Sequence, residues 1–187
     1  MDRKEFLKTC GCCAGVFAAA SLVMPEALPA ADTAKSEDWR MRFVKQRYAK
    51  LLEILSARLD DKAMSEVLIA LGTACSSFGD EWIKKYRGDF DGFRKSIEQG
   101  VSGDKVTYDR EKGVLTMDSG ERTDCFCPLV SVAQHTPQKV CDCSLGWQQH
   151  TWETFFGKKV RVELKESVLR GGKRCLFEIH LSNTSLS

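Results

Sequence analysis

The chain has 187 residues, the size of one domain or of one domain with a helical extension. Hydrophobic residues make up 43% and charged residues 29%, with 4 Pro and 14 Gly, which excludes disordered and fibrous classes. Lys and Arg number 28 against 26 Asp and Glu, a formal charge of +2, and no basic stripe stands out, so nucleic acid is not an expected partner.

The start reads Arg3-Lys4-Glu5-Phe6-Leu7-Lys8, then an uncharged run from Thr9 to Pro25, then Ala-rich sequence to Ala31. A basic start, an apolar middle short of the about 20 residues a membrane span needs, and small residues at Ala30 and Ala31 together predict an export signal over residues 1–31. The stretch from Arg3 to Lys8 resembles the twin-arginine signal, with Lys in place of the second arginine. That route carries folded proteins, often with a prosthetic group inserted. The expected location is therefore periplasmic or extracytoplasmic, with no transmembrane span in the mature form; a membrane tether by an uncleaved leader is the alternative. Removing the leader takes Cys10, Cys12 and Cys13 and leaves Cys75, Cys125, Cys127, Cys141, Cys143 and Cys175.

After a polar linker at 32–38, Val44, Tyr48, Leu51, Leu55 and Leu59 recur by four, three, four and four, one face of an amphipathic helix. A second helix carries Met64, Val67, Leu68, Leu71 and Cys75 on one stripe, which makes Cys75 a core position. A third helical stretch from Trp82 to Ile97 breaks near Gly88, and Gly100 and Gly103 close this helical region, residues 32–100. Residues 101–187 change character. Val106–Tyr108 and Val114–Met117 flank Asp109–Gly113 as a hairpin, and a short strand is expected to lead into Cys125. Ser144 is placed to cap a helix that runs to Phe156 and stops at Gly157. Val160, Val162 and Leu164 then alternate with polar residues, as do Cys175, Phe177, Ile179 and Leu181, around Gly171-Gly172. A two-residue turn there sets Val168 opposite Cys175, Glu166 opposite Phe177 and Leu164 opposite Ile179, with Glu166 on the apolar face. The fold class is α+β: N-terminal helices followed by an antiparallel sheet with a packed helix and a C-terminal β-hairpin.

The chemistry is concentrated in Cys125-Phe126-Cys127 and Cys141-Asp142-Cys143, two pairs thirteen residues apart. Alternate residues of a strand share a face, so each pair can aim both sulfurs at one place, and four thiolates suffice for zinc or an iron–sulfur cluster. Disulfides and free reactive thiols are the other two states open to the same six cysteines. Cys141 and Cys143 are expected just before the positive end of the helix, where the dipole favours thiolate. His150 lies seven residues beyond Cys143, about two turns along the same side, as a further ligand or general base. His135 sits in an expected loop and His180 on the polar side of the last strand, and Trp147 is expected in a cleft wall.

Cys127-Pro128-Leu129, then Cys143 with Gly146, then Glu166, Gly171 and Cys175-Leu176-Phe177-Glu178-Ile179 run in the order found in domains of the 4-vinyl reductase type. The Cys-Pro followed by Gly-x-x-x-Cys-x-Phe also resembles the L-2-amino-thiazoline-4-carboxylic acid hydrolase family. The resemblance covers roughly residues 101–182. It implies helices and an antiparallel sheet enclosing a small-molecule pocket, and a sensor whose cysteine-rich site holds metal. Leu169 stands where the first pattern often has a cysteine, and Gly146 where the second has an aspartate shortly after its middle cysteine. The expected function is an exported small-molecule-binding protein. Cys125, Cys127, Cys141 and Cys143 are its metal donors, and Cys127, Trp147, Glu166 and Cys175 line its pocket. The hydrolase alternative places a thiolate of Cys143 or Cys127 as nucleophile on a cyclic C–N bond, with His150 or Glu166 moving protons. A disulfide-stabilised binding module is the third reading, and a homodimer is left open.

Overall fold

Three of the helices open on an aspartate whose carboxylate accepts a backbone N–H of the first turn: Asp38 for α1 (Trp39–Arg58), Asp60 for α2 (Asp61–Ser76) and Asp89 for α4 (Phe90–Glu98). Between them lies a short helix, α3 (Asp80–Lys84), and Gly88, at φ 85°, breaks the third helical stretch where the sequence predicted. This computed structural model describes residues 38–130 and 137–181, within a unit spanning residues 37–187. The export signal with Cys10, Cys12 and Cys13, most of the polar linker, and His135 lie outside the described residues.

The sheet is antiparallel, with strands β1 (Lys105–Asp109), β2 (Val114–Asp118), β3 (Val160–Glu166) and β4 (Leu176–Leu181) in the order β1-β2-β4-β3. Helix α5 (Asp142–Phe156) covers one face of it, and Trp152 and Phe155 join Phe93, Leu115 and Ile179 in the main core. The fold is thus α+β in the expected order. Gly157, at φ 68°, ends α5 and turns the chain into β3, a conformation that glycine adopts without steric penalty. A second core joins Leu52 of α1 to Met64 and Leu68 of α2, Val140 and Cys143. No described helix is long and apolar enough to cross a membrane.

Three local expectations change. The last two strands are not joined by a tight Gly-Gly turn. Residues 167–175 form a wider loop with a 3-10 turn at Val168–Arg170, and Gly171 adopts φ 89°. Leu164 therefore faces Phe177 and Val162 faces Ile179, a shift of two residues, with an irregularity between Leu164 and Glu166. An even shift keeps the apolar residues on one face, which is why the alternation predicted the face correctly and the register wrongly. Secondly, residues 119–127 form no strand; this loop is tied to the start of β4 by Ser119 N–H to Cys175 O (3.1 Å) and Arg122 N–H to Lys173 O (2.9 Å). Thirdly, α5 begins at Asp142, two residues before Ser144, so Cys143 lies in its first turn. A 3-10 turn, Gln138–Cys141, leads straight into it and takes over the cap.

Candidate functional site

Helices α2 and α5 cross at two glycines. A Cβ on Gly72 would fall within the carbonyl group of Cys143 and 2.9 Å from the Trp147 nitrogen; one on Gly146 would fall within the carbonyl group of Ile69 and 3.0 Å from the Thr73 nitrogen. Backbone therefore lies against backbone at both points. Beside the crossing, the Ser76 and Thr151 hydroxyls share a buried hydrogen bond of 2.9 Å, so the polar atoms closest to the contact are satisfied. This crossing carries Cys75, one turn beyond Gly72, and Cys143, one turn before Gly146, to the wall of a single cavity.

The cavity encloses about 600 Å³, and its wall is largely apolar, with Ile83, Ile97, Met117, Val140, Leu169 and Phe177 among the contributors. Loop 119–130 supplies Cys125, Cys127 and Leu129, the start of α5 supplies Cys141, Cys143 and Trp147, and the approach to β4 supplies Cys175. All six described cysteines are free thiols, and all six line this one space. The two Cys-x-Cys pairs thus share a wall, although neither belongs to a strand: an irregular loop carries one pair and a helix start the other.

Burial governs the thiols. It pushes Cys143 up to about 11 and raises Cys127, Cys141 and Cys175 above the ordinary thiol value. Opposing contacts are present but weaker: backbone N–H groups of Leu129 and Val130 at the Cys127 sulfur, and the Ser167 hydroxyl 3.0 Å from the Cys141 sulfur. The helix start at Cys141 and Cys143 was expected to favour thiolate, but burial raises both thiols. Behind the thiols, the hydroxyl of Tyr48 is buried without a hydrogen-bond partner among the described residues, and burial pushes it up to about 12.

The expected catalytic group does not assemble. His150 bonds through Nε2 to Asp80 Oδ1 at 2.7 Å, on the α3 side, and holds the Asp80 carboxyl below its usual range. Seven residues return His150 to the same side of α5 as Cys143, but carry it about 10 Å along the axis and off the cavity wall. Glu166 lines a separate small depression with Arg170 and Gly172, where its Oε1 accepts the Lys173 N–H at 2.6 Å and its Oε2 lies 3.8 Å from Arg174 Nε. The irregularity after Leu164 turns it there, so of the expected pocket residues Cys127, Trp147 and Cys175 line the cavity and Glu166 does not.

The four proposed metal donors have the right chemistry for zinc or an iron–sulfur cluster. A tetrahedral zinc–thiolate site holds sulfurs about 3.8 Å apart, as Zn–S bonds of about 2.3 Å require. Among the described residues, the His, Cys, Asp and Glu groups whose donor atoms gather in threes within 4.8 Å of one another are Glu163, Glu178 and His180, on the outer side of the sheet, and no set of cysteines. Lys165 already stands 3.3 Å from both Glu163 and Glu178 there, and His180, expected in solvent, is partly enclosed between the same two carboxylates. The cysteine wall is therefore not a coordination sphere as it stands.

Two charged residues of the cavity wall are not signalled by the sequence, Arg122 and Asp104. Neither belongs to a motif, and their approach depends on the loop 119–130 folding back beside Ser102. Burial raises the Asp104 carboxyl above its usual range.

Residues 96–186 match a family described as a family of unknown function (DUF6144). No curated protein matches the chain. Among solved structures, the chain is similar to a trafficking protein particle complex subunit 3 from Naegleria fowleri, covalently bound to palmitic acid. That similarity has a TM-score of 0.47 and 13% identity, covering 76% of this chain and 95% of that one. It is also similar to a vinyl-4-reductase family protein from Methanocaldococcus jannaschii, with a TM-score of 0.37 and 14% identity, covering 78% of this chain and 83% of that one.

Proposed function

We propose that the chain is an exported receptor for a small apolar or heteroaromatic molecule, held in the cysteine-lined cavity. One observation carries this reading: a largely apolar space of about 600 Å³, walled by six thiols, lies between the helices and the sheet. Its size falls within the range of ligand pockets, and a few polar groups on an apolar wall are what orientation of a ligand requires. Cysteine side chains make that wall soft and polarisable, suited to aromatic and sulfur-bearing surfaces. The reading assigns the cysteines to a ligand's surroundings in place of a metal centre or a nucleophile. The leader sequence supports export.

The test uses leaderless protein and the neutral fluorophore N-phenyl-1-naphthylamine. Saturable one-to-one binding is expected, and Leu169→Trp, which places an indole in the cavity, should weaken it about tenfold, equivalent to roughly 1.4 kcal/mol. Native mass spectrometry of freshly purified protein should show a retained small molecule that this variant loses. Absence of saturable binding, or binding indifferent to Leu169→Trp, would overturn the reading.

A further inference from the structure

We infer that Arg122 selects the ligand's charge: the cavity takes an amphiphilic anion, an apolar body carrying a carboxylate or sulfonate group. This inference rests on the cavity being the ligand site. Arg122 is the one basic side chain among the described residues that line it, and Asp104 the one carboxyl. The guanidinium is half-buried and spends only Nη2 on the protein, donating to the carbonyls of Ser102 (3.4 Å) and Ser119 (3.2 Å). Its Cζ lies 5.5 Å from the centroid of the Phe126 ring, which holds the planar group in place at the mouth of the loop. No carboxylate among the described residues lies within ion-pair distance of it. Nε and Nη1, with three N–H groups between them, have no protein acceptor there.

A cation held beside an apolar cavity, with only a longer-range attraction to Asp104 and no carboxylate among the described residues at ion-pair distance, is an unfavourable arrangement that a ligand anion would relieve. The neighbouring Asp104 would oppose an anion when ionised; burial raises its carboxyl above the usual range, against the pull of Ser102 and Arg122, and so reduces that opposition. Other basic residues nearby are already committed: Arg174 pairs with Asp118 at 2.9 Å, and Arg170 with Asp142 at 2.6 Å. Arg122 is thus distinguished by both its position and its missing partner.

The experiment compares 8-anilinonaphthalene-1-sulfonate with N-phenyl-1-naphthylamine, which share one aromatic skeleton and differ in the sulfonate. Arg122→Gln should lower the ratio of sulfonate to neutral-amine affinity about tenfold, equivalent to roughly 1.4 kcal/mol. On the unmodified protein, 1-naphthalenesulfonate should displace the bound amine at a lower concentration than naphthalene-1-methanol does. That second measurement needs no variant to fold. Equal losses for both fluorophores, or no preference for the sulfonate in displacement, would overturn the anion inference while leaving the cavity reading intact. Failure of the neutral amine to bind wild-type protein would overturn the cavity reading beneath it.

Discussion

Gly72→Ala separates local helix propensity from tertiary packing, because the two predict opposite signs. In an unhindered helix interior, alanine is favoured over glycine by about 1 kcal/mol. Here the added methyl would enter the Cys143 carbonyl group and approach the Trp147 nitrogen to 2.9 Å, where unstrained contacts lie at about 3.5–4.0 Å. The obstructing atoms are backbone atoms of a well-packed helix, so no rotamer change relieves them. The helices must separate by about an ångström, which loosens the adjoining contacts of Leu68 and Val140. Overpacking of this kind costs about 1–3 kcal/mol, and a backbone obstruction belongs at or beyond the upper end. After the propensity gain, a net loss of about 2 kcal/mol remains, or a fall in melting temperature of about 4–8 °C for a unit of this size. Gly146→Ala, facing Ile69 across the same crossing, should behave alike. Thermal and urea unfolding at constant pH measure both, with Ala74→Gly on the exposed side of α2 as the control for propensity, expected to lose about 1 kcal/mol. A Gly72→Ala protein as stable as wild type, or more stable, would refute the close crossing and with it the placement of Cys75 and Cys143.

Tyr48→Phe removes a buried hydroxyl that has no partner, so the variant should be more stable by about 1 kcal/mol in urea unfolding; a loss would show a hydrogen bond the structure does not contain. Alkylation of Cys143 in the native protein should accelerate about tenfold per pH unit and level off near its raised value of about 11, whereas a plateau near pH 9 would contradict its burial. Because folding raises the pKa of Cys127, Cys141, Cys143 and Cys175, their contribution to stability is complete below the ordinary thiol value of 9.0 and is lost as pH rises through the higher folded values. The urea midpoint should therefore fall steadily above pH 9. Leaderless protein prepared under reducing conditions should titrate six thiols after denaturation and carry zinc and iron well below one equivalent; a stoichiometric metal whose removal lowers the melting temperature would refute the reading of the wall as free thiols.

What the sequence disclosed depends on how local each cause is. Helix periodicity located α1, α2 and the break at Gly88, but not the buried faces in full: Val44 and Leu51 of the predicted α1 stripe and Val67 of the α2 stripe are exposed, and Leu52 is the buried residue of α1. Alternation located β3 and β4, and parity protected the assignment of faces when the turn between them proved longer than Gly171-Gly172 suggested. The register depended on Glu166 accepting the Lys173 N–H and on Gly172 N–H reaching Ser167 O at 2.9 Å, contacts that no spacing rule encodes. The convergence of the two Cys-x-Cys pairs was legible, but Cys75 and Cys175 joining the same wall was not, since their approach depends on the α2–α5 crossing and on the loop before β4. Arg122 and Asp104 left no signal because each is a single residue in a loop, given its role by what folds around it.

Two uses of a six-thiol wall compete, and desolvation decides between them. A nucleophile needs its charge stabilised before substrate arrives, by a cation, a helix terminus or a nearby base. Here the base candidates, His150 and Glu166, are engaged outside the cavity. The helix start is present at Cys143, yet burial pushes that thiol up to about 11. Arg122, the one fixed cation among the described residues that line the cavity, favours ionisation of Cys175, but burial outweighs it there. Burial therefore disfavours charge on Cys127, Cys141, Cys143 and Cys175, and the positive charge of Arg122 at the cavity's edge is left for something that enters it. Electrostatics of this form suit binding of an apolar anion and oppose spontaneous thiolate chemistry.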